Sequence, residues 1–412
     1  MRRYGPVMTS PAPAFDPWQP SFVADPYPAY ASLREQGRAH WFAPSRQWLI
    51  PHFEDVRALL TDRRLGRTYL HRFTHEEFGR TAPPPEHEPF HTLNGNGMLD
   101  LEAPDHTRLR RLVSKAFTPR TVQGLVPTIR RLAAGLAESF AASGGGDLIA
   151  AVAEPLPVEV IAEMLGIPHA DRPALRPWSA DICGMFELNP GEETARRAVR
   201  ASEEFSAYLR GLIAARRKDP GEDLISALIA AYDEGDRLSE QEMVSTCVLL
   251  LNAGHEATVN TTGNGWWTLF RHPDQLARLR DAPDALLSTA VDELLRYDTP
   301  LQLFERWVLE DIRVGDTLIP RGSEVALLFG SANRDPARFE RPDTLDLART
   351  DNPHLSFGAG IHYCLGAPLA RIELAASFGA LLRAAPGLRL VREPEWRPGY
   401  VIRGLRELLV EV

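Results

Sequence analysis

Apolar side chains along this chain recur mostly at the three- and four-residue spacing of helices, and only in short stretches at the alternating spacing of strands. From about Pro104 the helical period dominates. It predicts a basic helix opened by Pro104-Asp105-His106 and running through Ala116, a long amphipathic helix from Thr121 to Ala142 closed by Gly144-Gly145-Gly146, and a short helix from Val158 to Leu165. Residues 171–217 hold at least two helices with a break near Asn189-Pro190-Gly191, and Leu224 to Asp233 is another. Ser239 to His272 reads as one helix far beyond the usual length of about three turns. Pro273 to Arg280, Ala285 to Arg296 and Leu365 to Ala384 follow, and Pro28 to Gln36 and Glu54 to Leu60 add two short helices. Strand-like pieces are Trp48 to Pro51, Phe304 to Val308, Asp316 to Ile319, Ser323 to Leu328 and parts of the C-terminus. Residues 66–97 and 331–363 follow neither period, and a loop as long as the first is uncommon unless it is functional.

These elements predict a mainly α fold with a small β region. Residues 1–25, rich in proline and small residues, read as a loose arm, and 26–412 as a single domain. The length of 412 residues alone would suggest two or three domains, but no repeat, linker or clean boundary divides the pattern. A chain of this size can enclose a cofactor.

Composition narrows the function. The net charge is -9, so nucleic acid is not an expected partner. Nearly all the positive charge is arginine; Lys115 and Lys218 are the lysines. Cys183, Cys247 and Cys364 are too few and too far apart for a disulfide framework, which suits a reducing cytoplasm. The first residues carry no apolar run of a signal peptide, and the most apolar stretch, Cys247 to Leu251, is too short to span a bilayer.

The most informative segment is Phe357-Gly358-Ala359-Gly360-Ile361-His362-Tyr363-Cys364-Leu365-Gly366. Its glycines permit positive φ and close approach to something flat. Cys364 stands where a helix begins, and free N–H groups at a helix start favour a thiolate. A thiolate is a proximal ligand of haem iron. No second cysteine is near enough for a zinc site.

This string resembles the haem-binding signature of the cytochrome P-450 superfamily, and the likeness runs from about residue 20 to the end. It is closest to soluble bacterial members. The resemblance implies the cytochrome P-450 fold, haem b as cofactor, Cys364 as iron ligand, and Phe357, Gly358 and Gly366 as haem contacts. Glu293-Leu294-Leu295-Arg296 matches the family's ExxR pair, with Arg349 as the arginine it joins; their implied role is structural. His106 and Arg110 share a helix face at i,i+4 and match donors to the haem propionates, with Arg306 and His362 as further donors.

The long helix carries Ala253-Gly254-His255-Glu256-Ala257-Thr258, where the family has Ala-Gly-x-acid-Thr. By resemblance Ala253 contacts the haem, the glycine lets the helix bulge, and an acid and an alcohol pass protons to dioxygen. Glu256 keeps the acid. Ala257 replaces the alcohol, and Thr258 follows about 100° further round the helix. In some family members with alanine here a substrate hydroxyl and ordered water take over; the plainer reading is slower, leakier oxygen activation. Asn252, Leu303 and Val401 are implied pocket residues, and none is charged.

The function implied is a haem-thiolate monooxygenase. It would hydroxylate or epoxidise an apolar to moderately polar organic molecule, such as a secondary metabolite, using O2 and two electrons. No flavin or dinucleotide motif follows, so electrons are expected from a ferredoxin and an NAD(P)H-linked ferredoxin reductase. Arg108, Arg111, Lys115 and Arg120 are the expected docking patch. A cytoplasmic monomer with no membrane partner is expected. The alternatives are a non-catalytic haem sensor of ligand or gas, favoured only by Ala257, and a peroxide-driven enzyme, whose pocket arginine and proline are absent at 253–258.

Overall fold

The computed structural model describes residues 15–232 and 235–412. The molecule is organised round helix Glu240–Arg271, against which helices Pro155–Leu165, Leu175–Cys183, Glu192–Lys218 and Ala367–Ala384 all pack. Its start is a capping box: Ser239 Oγ accepts the Glu242 N–H at 3.2 Å, and Glu242 Oε2 accepts the Ser239 N–H at 2.7 Å. It ends at His272 because Pro273 has no N–H to continue it and opens helix Pro273–Asp281 instead. Buried hydroxyls on this helix bond to its own carbonyls, Thr261 Oγ1 to Ala257 O at 2.7 Å and Thr262 Oγ1 to Thr258 O at 3.0 Å. The expected bulge at Gly254 is absent, and the helix runs through unbroken. A Cβ there would lie 2.6 Å from Ile161 Cδ1, so this glycine serves the close crossing with helix Pro155–Leu165.

Among the described residues the β part has three sheets. Five strands run in the order His40–Phe42, Gln47–Ile50, Glu324–Leu327, Phe304–Val308, Leu65–Gly66. Gln47–Ile50 and Glu324–Leu327 are parallel with Trp48 opposite Val325, and Arg306 also lies opposite Val325 from the antiparallel side. Leu409–Glu411 pairs with both Gly145–Asp147 and Arg389–Leu390, and Ile312–Val314 with Thr317–Ile319. No described helix is long and apolar enough to cross a membrane.

The structure corrects three expectations. The N-terminal arm lies outside the described residues up to 14, but from Phe15 on it is packed, with a helix at Pro20–Ala24 and Phe15, Phe22 and Val23 buried. Phe15 meets Phe42 and Tyr400 edge-on at 5.0 and 5.6 Å, and Arg403 donates to the carbonyls of Val23 and Ala24. The proline-rich composition concealed this apolar anchor. Residues 66–97 contain helix Glu88–Gly95, which buries Phe90 and Leu93. Pro89 stands in its first turn, where the missing N–H is no loss. Helix Leu224–Ala230 is shorter than expected, and Asp233 falls outside the described residues.

Candidate functional site

A cavity of about 320 Å³ opens between the central helix, the five-stranded sheet and the cysteine loop. It gathers residues that are far apart in sequence: His106 and Arg110, Asn252 to Thr258 on the central helix, Leu303 and Arg306, Phe357 to Gly366, and Val401. The sequence had named all of these sectors. His255 is the exception on the helix, buried but not on the cavity wall.

The cysteine loop is folded by its own backbone. Cys364 N–H donates to Phe357 O at 3.0 Å, and Gly358 N–H to Leu355 O at 2.8 Å. Gly358 and Gly360 adopt φ of +69° and +71°, and a Cβ on Gly360 would meet Leu60 O at 2.7 Å. Both Arg110 Nη atoms donate to this loop, to Ile361 O at 2.9 Å and Tyr363 O at 2.7 Å. Burial pushes the Cys364 thiol up, opposed by the N–H groups of Gly366 and Ala367 and by Arg110 and Arg371. The helix start thus acts as expected on the thiol, but in the bare protein burial outweighs it.

Three cationic or imidazole side chains on the cavity wall keep buried nitrogens without partners: Arg67 at Nε, His106 and Arg306. His106 is 1% exposed and neither ring nitrogen is bonded. Burial, then His362 and Arg110, push it down to about 4, so it is neutral at pH 7. Arg306 is 2% exposed with Nη2 unpartnered; burial, then the charge of Arg67, push it down to about 9. His362 Nε2 lies 3.2 Å from Glu102 Oε1, and its ring centroid is 4.5 Å from that of His106. Orphaned buried donors are rare and ask for an anion. Together with a thiol on a glycine-lined loop, this donor set fits a flat group bearing carboxylates and a thiophilic metal centre, as haem does. Arg110 corrects the sequence expectation in part, since its guanidinium is committed to main-chain carbonyls of the cysteine loop.

On the central helix, Glu256 is 9% exposed. Its Oε2 lies 3.4 Å from Arg397 Nη2, and Oε1 lies 3.7 Å from His255 Nδ1. Arg397 also donates to Asn260 Oδ1 and reaches solvent. Burial pushes His255 down, against the pull of Glu256. Ala257 and Thr258 both line the cavity, so the shift of one position does not carry Thr258 off the wall. Asn252 Oδ1 is buried and unpartnered. Asn252 also borders a side pocket of about 10 Å³, room for one water, beside Asn94 and Ser245.

Glu293, Arg296 and Arg349 lie off the cavity wall. Glu293 and Arg296 are both 0% exposed and paired twice at 2.8 Å, and Arg349 Nε reaches Glu293 Oε2 at 3.1 Å. The expected docking patch is smaller than its sequence suggests. Arg108 is neutralised by Asp236 and Glu242, whereas Lys115 donates to the neutral Tyr232 O at 3.1 Å, a bond that leaves its charge in place.

Sequence reasoning missed Arg397 and Glu373. Glu373 is 2% exposed, lines the cavity, and has Oε2 without a partner. Burial pushes its carboxyl well above the usual carboxylate range, favouring the protonated form. The available signal was an acid on the otherwise apolar face of helix Ala367–Ala384.

Comparison with known proteins agrees with this geometry. The family model described as Cytochrome P450 matches residues 179–384. The chain is 41% identical over 397 residues to cytochrome P450 monooxygenase PikC of Streptomyces venezuelae, covering 94% of this chain and 91% of that one. It is 41% identical over 370 residues to mycinamicin IV hydroxylase/epoxidase of Micromonospora griseorubida, covering 88% and 89%. Among solved structures it resembles P450BioI, crystallised with a fatty-acyl-ligated acyl carrier protein, at a TM-score of 0.88 and 36% identity, covering 95% of this chain and 99% of that one. A cysteine on a glycine-bracketed loop, orphaned donors at the cavity rim and these relatives lead to one conclusion: the chain belongs to the cytochrome P450 family of haem-thiolate monooxygenases.

Proposed function

We propose that this enzyme hydroxylates or epoxidises an apolar to moderately polar secondary metabolite, with electrons from a ferredoxin and its NAD(P)H-linked reductase, as a monomer in the cytoplasm. The carrying observation is the placement of Cys364 and the unpartnered His106 and Arg306 on one cavity whose remaining wall is mostly apolar. Relatives named for macrolide and polyketide chemistry support the substrate class.

Bound haem supplies the iron at which O2 is activated. Cys364 Sγ would ligate that iron, and His106, Arg306 and His362 would hold the carboxylates of the group. Arg110 acts one step back, fixing the carbonyls of Ile361 and Tyr363 and so the aim of the cysteine. Ala253 and the apolar wall would exclude water from the rest of the cavity. Glu256 stands at the cavity edge as the acid of the proposed proton path, paired on its outer side with Arg397, which reaches solvent. The methyl of Ala257 can neither donate nor accept. Thr258 Oγ1, or a hydroxyl on the substrate, completes the path from Glu256. Asn252 Oδ1 accepts a hydrogen bond from substrate or from water in the side pocket.

The test is reconstitution of the haem-loaded protein with ferredoxin, reductase and NAD(P)H against a panel of macrolides and other natural products. Oxygenated product from a member that also shifts the haem spectrum supports the reading. Spectral binding with electron supply but no product from any binder refutes the proposed substrate class.

A further inference from the structure

The cavity wall at Val401 and Ile402 is anchored firmly on one side. Val401 O accepts the Gln302 N–H at 2.9 Å. Tyr400 Oη bonds Tyr30 Oη at 2.6 Å, and Tyr30 Oη donates to Gln302 Oε1 at 2.7 Å. All four residues are buried. Opposite stands the end of helix Leu175–Cys183, where Cys183 and Phe186 line the cavity. Phe186 runs straight into a connector that is exposed from Asn189 to Glu193 and passes through a left-handed residue at Asn189, φ 54°.

One side chain ties these two sides together. Glu187 accepts three consecutive main-chain N–H groups, from Tyr400 at 2.8 Å, Val401 at 3.0 Å and Ile402 at 3.0 Å. Among the described residues of 184–191, Glu187 alone makes side-chain hydrogen bonds to another element. The approach is close: a Cβ on Gly399 would sit 3.2 Å from Glu187 Oε1, and Gly399 itself has φ +132°. The clasp is strong when closed, because each bond is charge-assisted. It is also easily reopened, since water can satisfy a half-buried carboxylate and the freed N–H groups. A seam held by apolar burial would lack that property.

We infer that Glu187 is a positioning residue that sets the rate of substrate exchange, closing the seam between Phe186 and the Val401–Ile402 wall. This rests on the cavity being the substrate pocket. The experiment follows binding of 4-phenylimidazole to the haem-loaded enzyme by stopped-flow absorbance, for wild type, Glu187→Gln and Glu187→Ala. Gln keeps one acceptor oxygen, whereas Ala keeps none. Association and dissociation should both accelerate, by about tenfold in Glu187→Ala and by less in Glu187→Gln, with Kd moving less than either rate. Glu187→Asp, which keeps the carboxylate but shortens its reach to the three N–H groups, should accelerate both rates as well, and it decides the matter if the other Glu187 variants load haem poorly. Unchanged rates would overturn the inference. So would a faster dissociation alone with a matching rise in Kd, the mark of a distorted wall rather than an unlatched one. Failure of wild type to bind the azole at all would instead refute the pocket reading.

Discussion

Glu293→Ala should damage the fold and leave the chemistry of surviving molecules untouched. Glu293 Oε1 and Oε2 receive Arg296 at 2.8 Å each, Arg349 at 3.1 Å, the Asp346 N–H at 2.9 Å and Asn352 Nδ2 at 3.3 Å. Alanine leaves a fully buried guanidinium facing a void. Breaking a buried pair this way costs about 3–5 kcal/mol. The stranded Asp346 N–H adds about 1–3 kcal/mol. Arg296 keeps its bonds to the carbonyls of Asn333 and Pro342, so the loss falls toward the lower part of that range. Against a total stability of about 5–15 kcal/mol, this removes a large share. With an unfolding entropy of about 2 cal/mol/K per residue, each kcal/mol lowers Tm by about 1 °C in a chain of 412 residues. A fall of about 5 °C and a poor yield of haem-loaded protein are expected, read by calorimetry and by haem content per chain. Glu293→Gln, which keeps one acceptor, should lie between. A Glu293→Ala protein with wild-type Tm and full haem content would refute the reasoning.

Cys364→Ser should abolish the carbon monoxide band of a thiolate-ligated haem, while Cys183→Ser and Cys247→Ser, both at buried sites away from the loop, keep it; survival of the band in Cys364→Ser would remove the ligand assignment. If a substrate hydroxyl replaces the alcohol missing at Ala257, a true substrate should couple electron use to product well and its deoxy analogue poorly. Ala257→Thr should then narrow the gap, a single proton donor being worth about 10²–10⁴-fold, and equal coupling of both substrates by wild type would sink the idea. Burial raises the Glu373 carboxyl, so the group costs nothing below its ordinary value of 4.5 and penalises folding as pH rises from there toward its raised folded value, by up to about 1.4 kcal/mol per pH unit. Glu373→Gln should therefore melt above wild type at pH 8 and converge with it near pH 5; a Tm difference that does not grow with pH would show that the acid is not buried as protonated.

The helices were legible because their apolar spacing is local. The capping box at Ser239 and the stop at Pro273 bounded the central helix to within a residue or two. The cysteine loop was legible because its glycines and cysteine are contiguous. What escaped was set by distant partners. Helix Glu88–Gly95 hides behind Pro89 and histidines until Phe90 and Leu93 find the core. Arg397 meets Glu256 across 141 positions, and Glu187 meets Ile402 across 215. Arg108 read as a free cation because its acids, Asp236 and Glu242, lie on other elements.

Arg403 ties the two ends of the described chain together. It donates to Val23 O over a separation of 380 residues and stacks on Trp396 at 3.5 Å. In chain order the segment around Phe15 and Phe22 precedes its partners Tyr400 and Arg403 by almost the entire described length. The pocket wall at Val401 and the strand Leu409–Glu411 arrive with those partners. Contacts of such long range form late, because loop closure precedes any gain from them. A chain whose residues 400–411 have not yet docked thus leaves the cavity open on one side and strand Gly145–Asp147 unpaired, and haem captured at that stage would sit in a site with one side missing.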